Sequence, residues 1–95
     1  MLEKEVEKRL KKRVEQVGGI AVKLEGTNLN GIPDRLVLFP KGRLVFVELK
    51  RPGGKPRKLQ IYRMKQLEKL GYDCRVIDSY EGIEKLINSI STKIK

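Results

Sequence analysis

The sequence contains no histidine and no tryptophan, and its only cysteine is Cys74. Without histidine there is no Cys/His zinc site, no His-dependent catalytic triad and no imidazole general base. One cysteine cannot close an intrachain disulfide, which suits a reducing compartment, so the cytoplasm is the expected location. No apolar run approaches the ~20 residues of a membrane-spanning helix. The opening MLEKEVEKRLKK mixes charged and apolar groups, unlike the apolar stretch of a secretory signal. Aromatic residues make up only 5%, too few for base stacking to dominate nucleic-acid binding. Any catalysis must therefore draw on carboxylates, lysine, tyrosine or a hard metal ion.

What is abundant is positive charge. Twenty-two Lys and Arg oppose twelve Asp and Glu, a formal net charge of +10 on 95 residues. A body of that size supports one core and one domain, expected over residues 1–91 with a loose tail at 92–95. The charge surplus asks for a polyanionic partner. Nucleic acid fits best and an anionic membrane surface is second. The plainest reading is a solvated lysine-rich surface. A membrane-surface protein would need exposed bulky apolar residues on a basic helix, and here the apolar stripes are needed for the core.

Hydrophobic spacing predicts a helix over residues 2–17, with Leu2, Val6, Leu10, Val14 and Val17 on one stripe and Gly18-Gly19 as its stop. Residues 20–24 read as a short strand, and EGTNLNGIP (25–33) as a turn-rich loop. Strands at 34–39 and 43–50 flank Pro40-Lys41-Gly42 and so form a hairpin. The second of these is apolar on both faces from Leu44 to Val47, as befits a central strand. After the loop RPGGKPRK (51–58), a helix is expected over 59–70, with Leu59, Tyr62 or Met64, Leu67 and Leu70 facing inward and Gly71 as its cap. A strand at 74–77 begins with Cys74, read as a small buried hydrophobe. A last helix carries Ile83, Leu86, Ile87 and Ile90. The order α-β-β-β-α-β-α predicts an α/β fold, a mixed four-stranded sheet flanked by helices, with a right-handed crossover through the second helix.

Within this frame Asp34 opens one strand of the hairpin and Glu48-Leu49-Lys50 closes the other. Glu48 and Lys50 share a face, while Leu49 points to the core. The hairpin register brings Asp34 within side-chain reach of Glu48. Two adjacent carboxylates repel unless a cation lies between them, and such a pair suits Mg²⁺ or Mn²⁺, with the Leu49 carbonyl as a further oxygen donor. Lys50 could orient or deprotonate an attacking water and counter phosphate charge. The plainer alternative is a strand-end ion pair, Glu48 with Lys50 or Asp34 with Arg35.

The longer strings GIPDRLVL, FVELKRPG and KPRKLQ, in that order, resemble the PD-(D/E)XK nuclease superfamily and, within it, the VRR-NUC family. The resemblance runs from the first helix to VIDS at 76–79. It implies a restriction-endonuclease-like αβββαβ core and a metal-dependent DNA phosphodiesterase. By the same resemblance Asp34, Glu48 and Lys50 are the catalytic set, with Gln60 after the basic loop. An acid on the first helix maps to Glu3, or one turn later to Glu7, as a further metal ligand. For both acids the plain alternative is favourable charge near a helix N-terminus, and for Gln60 it is an ordinary solvated helix position. Small stand-alone members resemble junction resolvases, which implies a homodimer acting on Holliday junctions or other branched DNA. So compact a nuclease suits a phage or mobile element, working in the host cytoplasm.

Residues 50–69 hold eight Lys or Arg and one acid, Glu68. Arg51, Lys55, Arg57, Lys58 and Arg63 are the expected phosphate contacts, with Arg35 beside Asp34. Lys23 is either another phosphate contact or a plain strand-edge lysine. The pattern predicts recognition of backbone and shape rather than base sequence. Two rivals share this surface: a non-catalytic nucleic-acid-binding module, and a nuclease acting on flaps, nicks, single strands or duplex.

Overall fold

The computed structural model describes residues 2–94. Its elements are α1 (Glu3–Gln16), β1 (Ile20–Lys23), β2 (Arg35–Phe39), β3 (Arg43–Leu49), α2 (Lys58–Lys69), β4 (Asp73–Ile77) and α3 (Tyr80–Ile94). The four strands form one mixed sheet in the order β1-β2-β3-β4. β1 and β2 pair antiparallel, as do β2 and β3, and β4 lies parallel to β3. A parallel neighbour cannot be reached by a tight turn, and α2 supplies the crossover. With no Gly or Pro beyond Gly82 to stop it, α3 runs through positions 92–94 of the expected tail. Residue 95 lies outside the described residues. No described helix is long and apolar enough to cross a membrane.

Strand alternation gives the sheet two unlike faces. Val37, Phe39, Val45, Val47, Leu49 and Ile77 face one side. Val6, Leu10 and Val14 of α1 and Ile83, Leu86, Ile87 and Ile90 of α3 close over them. Burying each such side chain contributes about 1.5–3 kcal/mol, so this face holds the fold together. The opposite face carries Glu48 and is met by α2, whose packing is against β4.

Three expected core positions lie elsewhere. Leu2 is the N-cap, outside the helical stripe, and is exposed; its backbone N–H donates to the Glu5 carboxylate at 3.0 Å. On α2, Leu59 and Leu70 are exposed, as is Tyr62, and the buried line is Gln60, Met64 and Leu67. These three are spaced by four and three, a single helical stripe. Leu59 and Leu70 fall beside it. A polar residue leads the stripe because its amide has a buried partner on β3.

The 25–33 loop is pressed against the start of α2. Gly31 has φ +81°, and a Cβ there would lie 2.8 Å from both the Cγ and the carbonyl oxygen of Leu59. Arg63 donates from Nε to the Asn30 carbonyl oxygen at 2.9 Å, tying the same loop to α2. Gly31→Ala is expected to lose about 1–3 kcal/mol of stability through left-handed strain and the clash together. Urea unfolding measures it, and a loss near zero would mean that the loop is not held at this point.

Candidate active site

The β2–β3 ladder runs from Phe39 opposite Arg43 to Arg35 opposite Val47. One residue further on, side chains replace backbone carbonyls as acceptors. The Asp34 N–H donates to Glu48 Oε1 at 3.2 Å, and the Leu49 N–H donates to Asp34 Oδ1 at 3.1 Å. Each carboxylate is thus held by backbone of the opposite strand. The two acids converge because both strands run out of ladder partners at the same level.

Glu48 is 3% exposed. Its Oε2 accepts from Gln60 Nε2 at 3.0 Å and lies 3.3 Å from Lys50 Nζ. Gln60, 7% exposed, is oriented in turn because its Oε1 accepts the Arg57 N–H at 2.8 Å, closing the first turn of α2. Burial pushes the Glu48 carboxyl above the usual range, and the nearby Asp34 charge pushes it the same way. The Lys50 ammonium and the Asp34 N–H pull it partly back.

The structure brings Asp34, Glu48, Lys50 and Gln60 together. Gln60 is not a solvated helix residue. It is buried, and it holds Glu48. Glu3 stands apart, exposed on the first turn of α1, where it lines a cavity of about 510 Å³ with Leu2, Lys50, Arg51, Gly54 and Lys55. Among the described residues no group of three or more His, Cys, Asp or Glu could by itself hold a metal ion. Glu7 lies with Arg35, at 2.9 Å from Oε2 to Nη2.

Arg35 corrects the sequence reading. It is 6% exposed, faces α1 on the Val37 side of the sheet, and pairs with Glu7 and Asp34. A guanidinium so enclosed does not present itself to a phosphate. Its position was legible, since in a strand residue 35 shares a face with core residues 37 and 39. The need for an acid opposite it on α1 follows.

Arg51, Lys55, Arg57 and Lys58 are exposed around the cavity and the start of α2. Arg63 is engaged by Asn30 and by Gln66, and it stacks on the Tyr62 ring at 5.6 Å. Lys23 is exposed on edge strand β1 and pairs with Glu25 at 3.2 Å. Cys74 is partly buried, and burial pushes its thiol up to about 11, so it is no nucleophile at neutral pH.

Asp34 and Glu48 are hard oxygen donors of the kind that Mg²⁺ and Mn²⁺ take. They also carry like charges, one of them nearly enclosed, which a divalent cation between them would relieve. The residues present fit such an ion.

No protein-family model matches the chain. Over 79 residues it is 42% identical to "Putative nuclease p44" of Acyrthosiphon pisum secondary endosymbiont phage 1, covering 83% of this chain and 85% of that protein. A solved structure described as "VRR_NUC domain" superposes with a TM-score of 0.83 at 36% identity, covering 90% of this chain and 94% of that one.

Glu48 lies higher in the folded chain than in the unfolded one. Its contribution to stability is therefore complete below the ordinary carboxylate range and is lost as pH rises through the raised folded value. Metal-free Glu48→Gln is expected to be more stable than the parent at neutral pH, with the gap closing toward about pH 4. Urea unfolding across that range, in chelator, checks this. A gap that does not shrink with acid would show that ionisation of Glu48 carries no cost.

Proposed function

The chain belongs to the VRR-NUC family of nucleases, and from that premise we propose that it is a Mg²⁺- or Mn²⁺-dependent endonuclease cleaving phosphodiester bonds of branched DNA, Holliday junctions above all. The observation that carries this reading is the crossed pair of carboxylates at the end of β2 and β3, with Lys50 3.3 Å from Glu48.

Asp34 and Glu48 would hold the ion, with the Leu49 carbonyl as a further oxygen. When bound, it polarises the scissile phosphate and neutralises charge on the leaving oxygen. Lys50, on the cavity wall, orients the attacking water through its ammonium hydrogens and counters the phosphate charge as it builds. Gln60 fixes Glu48 in place, and Glu3 would act only through water, across the cavity it shares with Lys50. Arg51, Lys55, Arg57 and Lys58 follow the DNA backbone, with Lys23 and the outer side of Arg63 at the margin. Asp78 steadies the basic loop by accepting the Gly53 N–H at 3.2 Å.

The dimer belongs to this proposal on grounds of symmetry. A four-way junction offers two equivalent strands, which a two-fold pair of sites matches. The relative from a phage supports action in a host cytoplasm.

The test is cleavage of a labelled four-way junction beside a matched duplex and a flap, in Mg²⁺, in Mn²⁺ and in chelator. Paired, metal-dependent cuts in the junction, abolished by Glu48→Gln, are expected. Lys50→Ala should slow cleavage by about 10²–10³-fold. Cutting of the other substrates alone would discard the junction preference and keep the chemistry. Binding without cutting would leave a basic binding module. The phosphate-binding lysines have a separate readout in binding. Lys55→Ala together with Lys58→Ala is expected to flatten the log K against log salt slope by roughly 0.9 for each phosphate no longer neutralised.

A further inference from the structure

We infer that Arg35 and Glu7 form a positioning clamp that fixes the Asp34 carboxylate and keeps the local charge suited to a divalent cation. The inference rests on the metal-dependent reading of the site. Arg35 uses its guanidinium on two acids. Its Nη2 lies 2.9 Å from Glu7 Oε2, and its Nη1 lies 3.3 Å from Asp34 Oδ2 and donates to the Asp34 carbonyl oxygen at 3.1 Å. With Asp34 Oδ1 held by the Leu49 N–H, both oxygens of that carboxylate have a fixed partner, so its plane is set from two directions.

The charge count explains the third member. A guanidinium cannot shed its proton, so by itself it would place a permanent positive charge beside a cation site. Glu7 cancels that charge from the far side. Glu7 therefore serves the site through Arg35 and not as a ligand. Stability alone gives no reason for the arrangement. Position 35 lies on the core face beside Val37, and a well-packed apolar side chain there is commonly as stable as a buried ion pair.

The test titrates chelator-stripped protein with Mn²⁺ alone in a calorimeter. Glu7 is half-buried at the helix surface, so Glu7→Gln should fold, and its unfolding curve checks this. It is expected to bind Mn²⁺ about tenfold more weakly than the parent. The double variant Glu7→Gln with Arg35→Gln keeps a neutral amide donor beside Asp34 and sheds the stray positive charge. It should therefore bind more tightly than Glu7→Gln alone but, lacking the full clamp, more weakly than the parent. A merely structural pair would show no such recovery. Undiminished binding by Glu7→Gln, or a double variant weaker than it, overturns this inference alone. No Mn²⁺ binding by the parent chain overturns the metal reading and the clamp with it.

Discussion

Everything at the candidate site depends on how the β2–β3 ladder ends. Two backbone N–H groups, those of Asp34 and Leu49, lie beyond the last regular pair and still require acceptors. Two carboxylates meet that need, each from the strand opposite. The site is thereby part of the sheet, not an addition to a loop. Its geometry inherits the rigidity of the strands, whose other face is packed under α1 and α3. The same crossing forces like charges together in a place with little water, and the rest of the local structure deals with that.

Three groups respond to the crowding, each from a different element. Lys50, two residues along the strand, reaches Glu48 with a full charge. Gln60 comes from α2 with a neutral donor, and its own amide is locked by the helix it begins. Arg35 approaches Asp34 from the core side. Even so, the balance at Glu48 remains unfavourable to the ionised form. Interiors normally resolve such a conflict by replacing the acid. A chain that keeps a buried carboxylate against its own stability fits the general trade between activity and stability at functional sites.

Much of this was legible because it depends on period and register. Two-residue alternation set Glu48 and Lys50 on one face and Leu49 on the other. The hairpin turn at 40–42 brought Asp34 level with Glu48. The sheet and its flanking helices followed from the order of elements, and the ordered motifs pointed to the family that the comparisons support. What escaped was contact between elements distant in sequence. Spacing on α2 placed Leu67 inward and left Tyr62 or Met64 open, but it added Leu59 and Leu70 to the inner stripe, where Gln60 takes the place instead. Arg35 was taken as a phosphate contact although its alternation with Val37 and Phe39 sets it on the core face. Its partner Glu7 is on another element, and only the packed structure brings the two together.

The unlike distribution of charge separates a catalyst from a simple binder. Binding DNA through its backbone needs lysines and arginines at the surface, and Arg51, Lys55, Arg57 and Lys58 are exposed there. It gains nothing from two acids under that rim, since carboxylates repel phosphate and lower affinity. Metal-assisted phosphodiester hydrolysis uses that combination: a positive rim to draw the backbone in, and an acidic floor to hold a cation against it. In this chain the acids are held by backbone N–H groups and a buried amide, which fixes their geometry before any substrate arrives. Preorganised oxygens of that kind favour transition-state stabilisation over mere attraction, and they are the feature that a surface evolved only to bind would lack.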